Sequence, residues 1–371
     1  MSARMPTAKW QAGLSHAEAV TSLGESLAET ALLYRAGLSA VAMSDLVDGD
    51  GERVMLCASP ALPRDLPVVE RMLTMAAHAL AGVERKLHAS GEAHAAGRPP
   101  VILLCLPARW SRAGRHFEIN AEGRAFVQRL GELLPERWRG ADIEPFPVGR
   151  AAGAMALARA LQLVEGARDI IWGGVDSQVD WPVLEALAAA DRLLTMKQVD
   201  GLRPGEAAAF AVVMPGTRAD AFVLGLGLGR EPAPVGAEAP CRSDGFAQAL
   251  GAAVAPLRAS GQRSRGWWLD TSHESHTTNE LQNLIARFGD VLAPRTTLQT
   301  PLKELGDAGA ATTPLLAALA MQFWAHGVAD DDVAVLAAGS DDGTRGALLL
   351  AARDPKTGVR QRRAEDMELP A

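Results

Sequence analysis

Asp169-Ile-Ile-Trp-Gly-Gly-Val-Asp-Ser177, followed by Gly201-Leu-Arg-Pro-Gly-Glu-Ala-Ala-Ala-Phe210, decides how this chain is read. Ile170 to Trp172 and Ala208 to Val213 are short apolar runs bounded by Gly, Pro and Asp, as buried strands are. Val101 to Leu106, Trp267 to Leu269, Val333 to Ala337 and Ala347 to Ala351 are of the same kind. Between them, apolar residues recur at helical spacing in Val68 to Leu87, Gly153 to Val164, Trp181 to Leu194, Gly245 to Ala259, Leu281 to Phe288 and Pro314 to His326. Strands alternating with helices predict an α/β fold. Strands that are continuously apolar, not alternating, predict sheets covered on both faces.

The same two segments resemble the β-ketoacyl synthases of the thiolase-like superfamily. In that family a strand ends in a Gly-Gly-x-Asp-Ser-like turn, and a Pro-Gly-Glu loop with small residues leads back into the sheet. Val20-Thr-Ser-Leu-Gly24 and Arg35-Ala-Gly-Leu-Ser39 resemble two further segments near the start of that family's chains. The resemblance is specific around residues 169–212 and patchy elsewhere over 20–352. It implies a thiolase-like fold of two duplicated α/β halves in a layered α-β-α-β-α core. The sequence carries traces of such duplication. Gly149-Arg-Ala-Ala-Gly-Ala opens one buried helix and Gly306-Asp-Ala-Gly-Ala-Ala another, while Ile170-Ile-Trp-Gly-Gly-Val-Asp is echoed by Val333-Ala-Val-Leu-Ala-Ala-Gly-Ser-Asp. The expected division is 1–214 for the N-terminal half, 215–352 for the C-terminal half and 353–371 for a charged tail. The Pro- and Gly-rich stretch from Gly229 to Pro240 reads as an irregular surface segment.

The residues that the resemblance asks for chemistry are missing. The family's reactive Cys belongs on the turn that here reads Val148-Gly-Arg-Ala-Ala-Gly-Ala154, and Arg150 stands in its place. A guanidinium stays protonated and has no usable lone pair, so it cannot attack a thioester. His273 is the best match to the family's first catalytic His, with Glu274 and His276 replacing the two glycines of that turn. In Leu302-Lys-Glu-Leu-Gly-Asp-Ala308, Lys303 and Gly306 fit the second His segment, but Asp307 replaces the imidazole. A carboxylate repels a developing oxyanion and suits Arg150, so an Arg150–Asp307 ion pair is expected. Gly339-Ser-Asp-Asp-Gly-Thr-Arg-Gly346 takes the place of a glycine-rich loop, with Asp341 and Asp342 where an apolar gate would shape an acyl pocket. The degenerate positions are therefore Arg150, His273, Lys303 and Asp307, and no catalytic residue is assigned. Asp176, Asp180 and Asp191 read as turn and helix-cap carboxylates. His273, Glu274 and His276 are too few to define a metal site, so no metal and no cofactor are assigned. Gly-x-Ser-x-Gly, phosphate-loop and dinucleotide signatures are absent from the sequence.

The 371 residues are 48% hydrophobic, enough for a sizeable core. A net charge of −7 argues against a nucleic-acid binder. Cys57, Cys105 and Cys241 have no metal-like spacing and suit a reducing, cytoplasmic compartment. Met1 to Gln11 holds no signal core and no run is long enough to span a membrane, so no membrane insertion is expected. The Ala- and Arg-rich composition points to a bacterial source with a GC-rich genome. The expected role is an accessory, scaffold or adaptor subunit, as a homodimer or as a heterodimer with a related synthase or another protein of its locus. The strand before Gly173-Gly174 and the apolar stretch Leu161 to Ile171 are the expected assembly edge. Two other readings stay open: a divergent thioester hydrolase or acyltransferase using His273, and a binding protein for acyl-coenzyme A or acyl-carrier-protein thioesters.

Overall fold

The computed structural model describes residues 12–47, 51, 53–91, 98–112, 115–166 and 168–353. Met1 to Gln11 and the tail beyond Arg353 lie outside the described residues. In chain order the elements are β1 (Ala12–Thr21), α1 (Leu27–Arg35), β2 (Ala42–Val47), β3 (Arg53–Leu56), α2 (Val68–Ala89), β4 (Val101–Cys105), β5 (Ser111–Arg112), β6 (Arg115–Ile119), α3 (Ala121–Leu133), β7 (Asp142–Phe146), α4 (Ala152–Leu163), β8 (Ile170–Ser177), α5 (Trp181–Ala189) and β9 (Glu206–Pro215). They continue with β10 (Ala221–Arg230), α6 (Asp244–Ala253), α7 (Ala255–Ser260), β11 (Gly266–Leu269), α8 (Ser275–Arg287), β12 (Leu298–Gln299), α9 (Leu302–Leu305), α10 (Thr312–Ala325), β13 (Val333–Gly339) and β14 (Thr344–Ala352).

Ten strands follow one another in the order β12-β11-β13-β14-β10-β1-β9-β8-β4-β7. Numbered within its own half and read from the outer edge inward, each set of five runs 3-2-4-5-1, with the fifth strand antiparallel to its neighbours. The duplication seen in the sequence is thus a duplication of topology. The halves touch through β1 and β10 at only two registered pairs, Gly13 with Phe222 and Leu14 with Ala221. Gly13 permits this contact, since a Cβ there would lie 2.2 Å from the Ala221 carbonyl oxygen. The proposed boundary between residues 214 and 215 falls at the end of β9.

Helices fill the space between and outside the two sets of strands. The α4 and α10 helices lie between them, and α10 is buried nearly all round from Thr312 to Phe323. Their small residues Ala152, Ala154, Ala156, Ala317, Ala318 and Ala320 join Trp172, Trp268 and Phe323 in the central core. A second core under α2 takes Leu80, Val83, Ile102, Leu104 and Phe126, and a third under α6 and α8 takes Phe246, Leu250, Trp267 and Leu349. This gives the layered α-β-α-β-α arrangement. No helix among the described residues is long and apolar enough to cross a membrane.

The Pro-Gly-Glu segment has a structural task. Glu206 and Arg71 form a buried pair, Nη2 to Oε1 at 2.6 Å and Nε to Oε2 at 2.8 Å, with both side chains at or below 1% exposure. The Ser59 amide and the Ser177 hydroxyl also donate to Glu206, and Arg71 Nη1 donates to the Pro63 carbonyl. Both charges are desolvated, yet the carboxylate is fully bonded. Two expectations fail here. The β8 strand is hydrogen-bonded on both sides, by β4 and β9, so it is no assembly edge; Ile170 and Ile171 are core residues and offer no patch. The outer strands of the described sheet are β7 and β12.

Removing one member of the Arg71–Glu206 pair should cost about 3–5 kcal/mol, because the other charge is left buried. Glu206→Leu alone should therefore unfold at lower urea than Arg71→Met with Glu206→Leu. Equal midpoints for the single and double variants would argue that the pair is not coupled.

Candidate functional site

Between β7 and α4 the chain turns at Gly149, whose φ is +77°, and reaches Arg150 at the mouth of a buried helix. The turn is pinned from the other half. Thr313 Oγ1 donates to the Arg150 carbonyl at 2.7 Å, and the Ala151 amide donates to Ser340 Oγ at 2.9 Å. A helix N-terminus carries partial positive charge, so a permanent cation placed there needs compensating anions. Arg150 has them. Nη1 donates to Asp307 Oδ2 at 2.6 Å, Nη2 to Asp341 Oδ1 at 2.5 Å and Nε to the Gly339 carbonyl at 2.8 Å, with Asp270 Oδ2 3.8 Å away. The expected ion pair between Arg150 and Asp307 is present, within a larger cluster.

That cluster extends outward. Asp341 also accepts from Arg192 Nη1 at 2.8 Å, and Arg192 Nε donates to Glu274 at 2.7 Å. Asp307 Oδ1 accepts the Gly309 amide, and Asp270 accepts the Gly339 amide. Burial alone would lower the Arg150 pKa, but Asp341, Asp307, Asp270 and Glu274 outweigh it and hold the guanidinium well above its usual range. Burial pushes Asp341 up, but Arg150 and Arg192 overcome it and hold the carboxyl well below the usual carboxylate range. Half of the Asp341 side chain is exposed, so water screens part of that pull. Burial dominates at Asp270, whose carboxyl is pushed up to about 6 despite Arg150.

The second buried helix has a matching anion. Asp176, on β8, accepts the Ala310 amide and Arg109 Nη1, each at 3.0 Å, just before α10. Its burial raises its pKa, against the pull of Arg109. The residue is 4% exposed, and the turn it bonds leads into α10 from the other half of the chain. Gly309 makes room for it, since a Cβ there would lie 2.1 Å from Asp176 Oδ2. Asp180 precedes α5 without a side-chain cap bond, and Asp191 sits in a turn at φ +53°.

The cavity beside Arg150 holds about 20 Å³, lined by Arg150, Asp270, Glu274, His276, Asp341 and Arg345 among others. That is room for about one ordered water, far less than an acyl chain needs. His273 is not among its lining residues. Its pKa is lowered first by burial and then by Arg203 and Lys303, so it is electrostatically coupled to those cations. Lys303, on α9, contributes its carbonyl to Arg203 Nη1 at 2.6 Å. The structure thus joins Arg150 and Asp307 and leaves His273 and Lys303 outside the Arg150 cluster. Sequence reasoning missed Asp270, Arg192 and Glu274 as cluster members. Asp270 directly follows the strand-like run Trp267 to Leu269, which is a local signal; Arg192 has none. Among the described residues, Cys241, His276 and Glu280 bring three metal-ligating atoms within 4.8 Å of one another.

No family model matches the sequence, and no curated relative does. Solved structures do match. A chain of the complex of the ketosynthase ApeO with its chain length factor ApeC from Xenorhabdus doucetiae is similar at a TM-score of 0.67 and 14% identity, covering 92% of this chain and 98% of that one. A β-ketoacyl synthase from Burkholderia phymatum is similar at 0.63 and 14%, covering 93% and 100%. The structure described as AntDE:AntF, a type II acyl-carrier protein with its ketosynthase, is similar at 0.68 and 12%, covering 94% and 100%. The fold is that of the thiolase-like ketosynthases.

Arg150→Ala should destabilise the protein by about 3–5 kcal/mol, since it strands buried carboxylates. Arg150→Ala with Asp307→Ala should recover part of that loss, not all, because Asp270 and Asp341 remain; urea titration of both variants reads the difference. Asp270 binds its proton more tightly folded than unfolded, so its contribution to stability falls as pH rises from about 4 through about 6. Asp270→Asn should therefore gain on the wild type by about 2 kcal/mol across that window. A pH-independent difference between the two would show that burial does not dominate at this carboxyl.

Proposed function

We propose that this chain is a condensing-enzyme-like protein that does not condense acyl groups and serves as an accessory, scaffold or adaptor subunit through protein–protein contacts. The observation that carries this reading is the state of Arg150. It occupies the turn where the resembled family keeps its nucleophile, and three carboxylates and a carbonyl surround its donor groups. The free volume beside it excludes an acyl chain, and Asp307, the counterpart of the second imidazole, is spent on the ion pair.

Condensation by the resembled enzymes needs a thiolate and two imidazoles that stabilise an enolate oxygen after decarboxylation. Cys57 and Cys105 are buried, and burial pushes the Cys57 thiol up to about 12 and the Cys105 thiol higher still, so neither supplies a thiolate at neutral pH. All three cysteines are free thiols, in keeping with a reducing cytoplasmic setting. The similar structures include a ketosynthase with its chain length factor and a ketosynthase with its acyl-carrier protein. For this chain the proposed partner is a related synthase, a second copy or another protein of its locus. The proposed contact is the outer edge of β7, whose backbone groups on one side have no strand partner among the described residues. Pro145 within β7 fits an edge position, since it has no amide to donate.

The purified protein should form no acyl adduct with a malonyl thioester and release no carbon dioxide from it. Arg150→Cys alone should leave both results unchanged, because Asp307 and Asp341 would still flank the thiol. Intact-mass spectrometry and radiolabelled carbon dioxide capture read these outcomes; a defined acylated residue in the wild type would refute the non-catalytic reading. Affinity purification from the native cell should recover a dimer or a stoichiometric partner. A strictly monomeric mass at micromolar concentration, with no protein co-purifying, would count against the subunit role.

A further inference from the structure

Behind the Arg150 cavity, three side chains that the proposed function does not use converge on one point. Cys241 lies in the irregular segment before α6, and His276 and Glu280 lie one turn apart on α8. The Cys241 Sγ to Glu280 Oε1 distance is 3.6 Å, and His276 Nε2 to Glu280 Oε2 is 3.5 Å. All three ligand atoms lie within 4.8 Å of one another. A tetrahedral zinc ion with bonds of about 2.0–2.3 Å separates its ligand atoms by roughly 3.3–3.8 Å. The two short separations involve different oxygens of Glu280, so side-chain rotation brings the three ligand atoms, now within 4.8 Å of one another, to this size.

His276 Nε2 is buried and has no hydrogen-bond partner, while the nearby carboxylate is already engaged by Arg345. A buried ring nitrogen without a partner loses free energy that a metal bond restores. Arg345 donates Nε and Nη2 to the two Glu280 oxygens, each at 3.1 Å, and fixes the carboxylate without using all of its acceptor sites. Arg345 itself is held against the Phe246 ring at 5.1 Å. A second carboxylate, Glu231, is 1% exposed and acts electrostatically on Cys241, His276 and Glu280. With a Cys241 thiolate, the set of Arg345, Glu231 and Glu280 carries a net charge of −2, which a divalent cation neutralises. Cys241 and His276 are partly exposed as residues.

We propose that Cys241, His276 and Glu280 form a binding site for a zinc-class divalent transition metal, with a fourth position open to water. The donor set of one thiolate, one imidazole and one carboxylate selects such ions over magnesium and calcium, which prefer all-oxygen shells. On binding, the thiol proton now directed at Glu280 leaves to solvent, and a sulfur–metal bond replaces the sulfur–hydrogen bond. The site clamps the Pro-rich segment that carries Cys241 to α8. It does not depend on the reading of Arg150.

The test uses the full chain, stripped with a chelator and dialysed against Zn²⁺ or Co²⁺. One equivalent should bind, and Co²⁺ should show a thiolate-to-metal charge-transfer band. Cys241→Ser should abolish the band, and His276→Ala should weaken zinc binding by at least about tenfold. A wild-type measurement guards against variants that misfold: Zn²⁺ should slow alkylation of Cys241 by at least about tenfold, read peptide by peptide in a mass spectrometer. Absence of bound metal, equal affinity in folded variants, or an alkylation rate indifferent to Zn²⁺ would each overturn the proposal.

Discussion

Arg150 carries a charge that it cannot lose, at the mouth of a buried helix whose own dipole opposes it. The chain answers with carboxylates from three separate segments: Asp270 after β11, Asp307 before α10 and Asp341 in the loop between β13 and β14. All three belong to the second half, while Arg150 belongs to the first. The cluster therefore ties the halves together at the point where their central helices meet. A nucleophilic centre needs an unspent, water-accessible lone pair and room for substrate. This centre is spent on ion pairs, with about 20 Å³ of space beside it.

The cluster is one of several points at which the fold is fastened. Two topologically equal sets of five strands, with α4 and α10 between them, bury three apolar cores that do not involve Arg150. The buried Arg71–Glu206 pair is confined to the first half and fastens α2 to β9 and β8. Asp176 bonds the turn before α10 independently. A scaffold fastened at several separate points can exchange the chemistry at one of them and keep its shape, which is why function has to be argued from the site and not from the fold.

Much of this was legible in local sequence. The apolar runs at Val101, Ile170, Ala208, Trp267, Val333 and Ala347 are all strands. The pairing of Arg150 with Asp307 followed from charge alone, although they are separated by 157 positions. The errors share one cause. The β8 strand reads as apolar whether it lies at an edge or inside a sheet, and the partners of Asp176, Arg109 and the Ala310 amide, are remote in the chain. The motif match singled out His273, yet it is His276 that lines the cavity and, one helical turn away, meets Glu280.

Composition, apolar periodicity and the glycine-rich turns by themselves determined an α/β chain of two similar halves. Those properties depend on each residue and its near neighbours, through hydrophobic patterning, backbone freedom and the chemistry of single side chains. The tertiary structure alone decided which strands are edges, which carboxylates close around Arg150 and which cysteine, histidine and glutamate meet. Apart from His276 with Glu280, one turn apart on α8, each of those is a contact between segments far apart in sequence. Its energy depends on desolvation and on distances of a few ångströms, and neither quantity is written in local sequence.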